Sequence, residues 1–346
     1  AQGENLTWIR YDDEMDRFEA APMALLGFAP RSLALGRFTR ALAGGSGLLD
    51  AAVLGQDAEG QFQVVVKAAD GVSGLPLLDT SPAHGLQYVP PVGLIAANIN
   101  HTKPSDGSPG GVDGGPDDLV IPTNVAASWV GERLPTAEVL VFGRDLESHT
   151  TIVANPTALK AGDRPRLMAV ADLDRAAPGS EVANKYYSVL DLAVLEEVVT
   201  VVDGKADRTL RLQPYIGQGN GSFIRYFQDG PEIDPDRNVQ QVVAATIRRS
   251  LKDFLSNEAK DYDLITVNGN TGDLTVFIKG RLATFTNPLS KNIAVGALPK
   301  AIAVGYMEHK VRPVASGGTL DPNAAEILPD LVALLGNDVV VAYSVD

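Results

Sequence analysis

The 346-residue chain contains no cysteine. That absence removes disulfides, thiolate nucleophiles and cysteine metal sites together, and it leaves the redox compartment open. Histidine is scarce: His84, His101, His149 and His309 are the only four, and no two share a helical metal-binding spacing, so zinc hydrolysis has no visible ligand set. With only Trp8 and Trp129, an aromatic sugar-binding cleft is undersupplied. Basic charge is in the minority, 29 Lys and Arg against 43 Asp and Glu, a formal net charge of -14. This disfavours sequence-specific nucleic-acid binding and an anionic membrane surface. No apolar run approaches the roughly 18 to 20 residues needed to span a bilayer. A soluble protein without a cofactor is therefore expected. The opening AQGENLTW shows no charged-then-apolar leader, and removal of an initiator Met before Ala1 would account for this start, as would a maturation cleavage.

Hydrophobic residues at 45% and charged residues at 21% are globular values. Short runs rich in Val, Ile, Phe and Thr, namely FQVVVKA, VGLIAANI, DLVIPTNV, AEVLVFG and RLMAVADL, read as strands bounded by turns. YDLITVNGNTGDLTVFIKGRLATF reads as a hairpin turning at Asn268-Gly269 and Thr271-Gly272. Two segments carry helical spacing. One runs from Glu181 to Glu197, with Val182, Tyr186, Val189, Leu190, Ala193 and Val194 on one stripe. The stronger lies in DPDRNVQQVVAATIRRSLKDFLSN, where Val239, Val242, Val243, Ile247, Leu251, Phe254 and Leu255 follow i, i+3, i+4. A short helix near Pro322 to Leu335 and a last strand at Asp338 to Val345 complete an α+β, β-rich expectation. No period of 20 to 50 residues marks a solenoid or propeller.

Several motifs invite a chemical reading. HTKPSDGSPGGVDGGPDD (101–118) offers Asp106, Asp113, Asp117 and Asp118 to a hard cation, but Gly110 stands where a ligand is needed, and turn chemistry explains the composition. DPDRN (234–238) starts like a calcium loop, yet Val239 replaces the required glycine and Ala245 the closing carboxylate. Helix capping by Asp234 or Asp236 accounts for its acids. GQGNGS (217–222) is followed by FIRYF of β character, so it reads as a hairpin turn and not as a phosphate loop opening a helix. AGGSGLL (43–49) lacks the spacing of a nucleophile elbow. Asn5, Asn100 and Asn220 head glycosylation-type tripeptides, read as chance matches. Arg31, Arg37 and Arg40 read as ordinary surface charge. No catalytic, cofactor-binding or metal residue is assigned.

The order of parts resembles a tailed-phage major capsid protein of the encapsulin-like fold. By that resemblance PMALLGFAPRSLALGRFTRALAGG lies in an N-terminal arm (1–50), VGLIAANIN to DLVIPTNV in an extended hairpin region (51–130), and an α+β core follows (131–346), with a possible split near Asp203. The Val239–Leu255 helix followed by YDLITVNG resembles a helix-strand unit of that fold, and a double jelly roll is the alternative architecture. The resemblance implies a non-enzymatic virion subunit, soluble in the host cytoplasm before it assembles with identical copies into a large homo-oligomer, with other virion proteins as further partners. A tail tube or sheath subunit is a variant of that reading. A β-rich carboxylate-dependent hydrolase, with two acids of perturbed ionisation in one cleft, and an adhesive module using the 101–118 loop with calcium are the competing classes.

Overall fold

A computed structural model describes residues 5–12, 15, 17–26, 28–36, 38, 50–60, 62–67, 92–97, 99, 117–123, 138–144, 151–153, 157–159, 164–173, 190–218, 221–245, 263–277, 291–295, 297–305, 330–335 and 340–343. Among them every regular element is a β-strand, apart from one single-turn 3-10 helix at Pro235–Arg237. The chain forms two compact units, Ala1–Ala161 and Gly162–Asp346.

In the first unit β1 (Asn5–Asp12) and β2 (Arg17–Leu25) make a hairpin. Next, β3 (Ala29–Gly36), β4 (Asp50–Gln56) and β5 (Phe62–Lys67) form a sheet in chain order. A third sheet joins β6 (Ile95–Ala97), β7 (Asp118–Thr123) and β8 (Glu138–Arg144), with β9 (Thr151–Val153) and β10 (Thr157–Ala158) both on β8. The second unit begins with β11 (Arg164–Ala171), β12 (Asp191–Val202), β13 (Lys205–Gly217) and β14 (Phe223–Arg225), with β15 (Glu232–Ile233) also on β13. Then come β16 (Val239–Ala245), β17 (Asp263–Asn268), β18 (Asp273–Phe277) and β19 (Lys291–Ala294), and last β20 (Pro299–Gly305), β21 (Asp330–Leu335) and β22 (Val340–Tyr343). Among the described residues all pairings are antiparallel, between strands close in sequence.

One unit recurs in five of these sheets. The last residue of the first strand is Gly or Ala, and it faces the aspartate that opens the second strand: Gly36 faces Asp50, Ala97 faces Asp118, Ala171 faces Asp191, Ala245 faces Asp263 and Gly305 faces Asp330. The aspartate returns roughly every 70 residues, a longer period than the 20 to 50 residues of familiar short repeats. The first strand also carries a β-bulge in four of the five. Arg31, Arg166, Gln240 and Lys300 each fall outside the ladder between two paired neighbours. Three of these bulges directly follow a proline, Pro30, Pro165 and Pro299, a residue tolerated at edge strands and bulges because it has no N–H to give the ladder.

The core lies between stacked sheets. In the first unit Leu54, Val64 and Val66 pack against Leu119, Ile121 and Phe142 of the next sheet. In the second unit Leu195 and Leu212 meet Leu264 on one side of β17, while Ile265 and Val267 meet Ile302 and Leu335 on the other. Successive residues of a strand point to opposite faces, so a strand covered on both sides is buried along its whole length, as β7 and β17 are. Each such Leu or Ile contributes about 1.5–3 kcal/mol on burial.

These observations correct the α+β expectation and the capsid resemblance with it. Val239–Ala245 is a strand whose apolar residues serve two cores, Val239 and Val242 on one side and Val243 and Ala245 on the other. The bulge at Gln240 places Val239 and Val242 three residues apart on the same side, which imitates helical spacing. Residues 246–262 lie outside the described set. Of the Glu181–Glu197 segment, Asp191–Glu197 belongs to β12, with Ala193 in one core and Glu196 on the other face, and 181–189 are not described. The tail helix is likewise replaced over 330–335 by β21. The N-terminal arm fails on its own residues: β1 pairs β2, β3 pairs β4, and Leu26 and Phe28 pack on Val53. The β-rich half of the expectation stands, and no strand-to-core assignment supports a double jelly roll.

Candidate functional site

The repeated aspartate is a stitch. Asp50 Oδ2 accepts the N–H of Phe38 at 3.0 Å, Asp118 Oδ2 that of Ile99 at 2.8 Å, and Asp191 Oδ2 that of Leu173 at 2.6 Å. In each sheet the donor lies two residues past the end of the first strand, at the start of the insert that leads to the second. One buried carboxylate therefore satisfies a backbone donor that would otherwise be orphaned, and it ties both ends of the insert to the sheet. Asp191 does more, since its Oδ1 also accepts the N–H of Gly217 at 2.8 Å. The register positions of Asp263 and Asp330 are equivalent.

The densest polar cluster occupies the face of β12, β13 and β14 opposite Ala193, Leu195 and Leu212. Cross-strand register places Glu196 beside Arg211 and Tyr215 beside Arg225. Tyr215 Oη donates to Glu196 Oε1 at 2.5 Å. Gln213, fully buried, accepts from Arg225 Nη2 at 2.8 Å and from the Gly230 N–H at 3.3 Å, and its amide donates to the carbonyls of Pro214, Tyr226 and Gln228 at 3.1–3.3 Å. Asp229 Oδ1 lies 2.6 Å from Arg225 Nη2 and 2.9 Å from Arg211 Nη1. The hydrogen bond from Arg225 is the main reason the Asp229 carboxyl is held below the usual aspartate range. Burial pulls the Arg225 guanidinium down, but Asp229 and Glu196 outweigh it and push it up. Two guanidiniums thus meet two carboxylates. Glu196 has no exposed surface, while the Asp229 side chain is 62% exposed.

A second polar group closes the turn end of the β16–β19 sheet. Arg237 Nη1 reaches Thr275 Oγ1 at 2.8 Å and Asp273 Oδ2 at 3.5 Å, and Asn268 Nδ2 donates to Thr275 Oγ1 at 2.8 Å. Asp234 accepts the Asp236 N–H at 2.9 Å and caps a single 3-10 turn, which ends at Asn238 in the left-handed region. Capping explains DPDRN, on a turn far shorter than the helix expected there.

Of the 101–118 acids, Asp106 and Asp113 lie outside the described residues, and Asp118 is the buried opener of β7 whose Oδ2 holds a backbone N–H. VGLIAANIN and DLVIPTNV do pair, over Ile95–Ala97 and Asp118–Val120. GQGNGS links β13 to β14, which pair antiparallel. The hairpin turning after Asn268 is present as β17 and β18. All four histidines, Arg37, Arg40, Asn100, Asn220, Trp129 and 43–49 lie outside the described residues. Arg31 is a bulge residue that donates to Gln56 and lies over the Phe62 ring. Among the described residues no group of three or more His, Asp or Glu is placed to hold a metal ion. The stitching aspartates escaped the sequence reading although their signal is present: an Asp directly ahead of an apolar strand run in LLDAAVL, PDDLVIP, VLDLAVL, DYDLITV and LPDLVAL.

No family model matches the chain, and no curated protein matches it in sequence. Among solved structures, a Lactobacillus plantarum protein is 13% identical over 99% of this chain and 89% of its own, with a TM-score of 0.37. A candidate 6-phosphogluconolactonase of Bacteroides fragilis is 10% identical over 99% of this chain and 78% of its own, with a TM-score of 0.33. Saccharomyces cerevisiae Sqt1 is 6% identical over 92% and 96%, with a TM-score of 0.25. Scores at this level fix neither fold nor activity.

Proposed function

We propose that the chain is a non-catalytic recognition scaffold, a tandem series of antiparallel sheets that carries variable inserts for a macromolecular partner. The stitched insert supports this reading. The same point of the repeat, between first and second strand, accommodates segments as different as RFTRALAGGSGLL, the Gly/Pro/Asp-rich 101–117 and the Arg/Lys-containing 246–262, above the constant aspartate position. Constant anchors beneath divergent segments are how rigid scaffolds present binding loops, and insertions in repeat proteins collect at such points. Replacing 101–116 by a Gly-Ser linker of equal length is expected to leave the β circular-dichroism spectrum intact. The same replacement is expected to abolish capture of the chain by its partner on immobilised glycan and peptide arrays. Unchanged array binding after replacement of each insert in turn counts against the reading.

A hydrolase is the second reading, and one observation favours it. Asp229 is an exposed carboxylate held ionised by Arg225 and Arg211, beside a second acid, Glu196, on a β-rich scaffold. Turnover of a chromogenic ester, lactone or glycoside by the chain, lost in Asp229→Asn, would replace the scaffold reading with this one.

A further inference from the structure

Strands β12 and β13 are 12 and 13 residues long, against 6 and 5 for the corresponding β17 and β18. β11 follows β12 only as far as Glu197, and β15 meets β13 only at Leu210 and Arg211. Among the described residues, Val198–Val202 and Lys205–Thr209 therefore pair with nothing but each other. The turn between them is Asp203-Gly204, both residues at positive φ, 52° and 74°, the geometry that two-residue hairpins favour.

This two-stranded extension has two unlike edges. Lys205, Asp207 and Arg208 put charge of both signs on the β13 edge, the usual guard against stray strand pairing. The β12 edge reads Val198-Val199-Thr200-Val201-Val202, five β-branched residues without charge, proline or glycine, with Val199 and Thr200 exposed. Among the described residues nothing pairs with this edge, which leaves its N–H and C=O groups open to another extended chain, and a two-stranded ribbon is marginal in water until further strands join it. The run is also palindromic about Thr200. Antiparallel pairing of two copies of this edge sets Thr200 against Thr200 and each flanking valine against a valine, as a two-fold contact requires, and Thr–Thr is a favourable cross-strand pair. The charge at the near end of the run is already compensated, since Glu197 lies 3.6 Å from Arg166 and 3.4 Å from Arg208.

We propose that the β12 edge, Val198–Val202, is a dimerisation site at which a second copy of this chain adds the same edge antiparallel about Thr200, making a continuous four-stranded ribbon. This is independent of the recognition reading. Sedimentation equilibrium of the full chain is expected to show twice the 36.5 kDa chain mass. Thr200→Lys and Thr200→Glu, which set like charges against each other at the two-fold axis, are each expected to weaken the dimer at least tenfold and sediment as monomers. Mixing the two in equal amounts is expected to restore the dimer, because the axis then pairs opposite charges. Glu59→Lys, at an exposed turn residue of the first unit, is expected to leave it unchanged. A wild-type monomer at every concentration overturns the proposal. So do single Thr200 variants that stay dimeric, an equimolar mixture that stays monomeric, and dissociation by Glu59→Lys.

Discussion

Asp191 holds Leu173 across the insert that separates them in sequence, its buried Oδ2 taking the Leu173 N–H at 2.6 Å. The same carboxylate holds Gly217 at 2.8 Å, so Asp191→Ala orphans two backbone donors. A buried donor left unsatisfied costs about 1–3 kcal/mol, and the two together are expected to cost roughly 2–5 kcal/mol. Asp118→Ala removes the acceptor of the Ile99 N–H at 2.8 Å and is expected to cost about 1–3 kcal/mol. Urea unfolding midpoints of the two variants, at unchanged m-value, check the order.

Gly230→Ala is expected to be poorly tolerated. A Cβ there would lie 1.8 Å from the carbonyl oxygen of Leu212, backbone that cannot swing aside. The segment would have to leave β13, and with it the Gly230 contact to Gln213. Overpacking of this kind costs about 1–3 kcal/mol or more. Gly93→Ala, where a Cβ meets nothing within 4 Å, is the matched control. Thermal melts of both variants measure the difference.

The Asp229 carboxyl is depressed below its ordinary value of 3.8. A group whose folded pKa is depressed contributes stability that is present above the unfolded value and is lost as pH falls through the folded one. Asp229→Asn is therefore expected to reduce stability at neutral pH, and the gap from wild type should close below about pH 4 as the wild-type carboxylate takes up its proton. Because the side chain is largely exposed, solvent screening keeps the effect small. Chemical denaturation from pH 2 to 7 on both proteins reads it, and a gap that stays constant across that range refutes the assignment.

Leu264 and Ile265 are neighbours in sequence but line different cores. Leu264→Ala and Ile265→Ala are each expected to cost about 2–5 kcal/mol. Having no common core partners, they are expected to add closely in the double variant. A large coupling energy in a double-mutant cycle would contradict the two-core arrangement.

Strands with ordinary turn punctuation were legible in the sequence: FQVVVKA, DLVIPTNV, AEVLVFG and the hairpin after Asn268 all form as read. Two physical effects hid the rest. A strand covered on both faces loses its alternation, so LDLAVLEE could pass for one side of a helix. A bulge then shifts the phase by one residue, and at Gln240 it turned a period of two into an apparent i, i+3, i+4 stripe. The repeat was hidden by length: its constant parts are a small residue, an Asp and a proline-marked bulge, separated by inserts that share no composition. Glu196, Tyr215 and Arg225 of the polar cluster lie well apart in sequence and share no local motif. Only strand register, which depends on the turns, brings them together.

The bulge position gives this cysteine-free protein a set of ready-made addresses. Arg31, Arg166, Gln240 and Lys300 are exposed, stand outside the ladder, and occupy the same step of the fold in four of the sheets. Thiols placed at any two of them carry a pair of spin labels or fluorophores on homologous backbone. With no native sulfhydryl to compete, the four positions form a molecular ruler from which the spacing of successive sheets can be measured in solution.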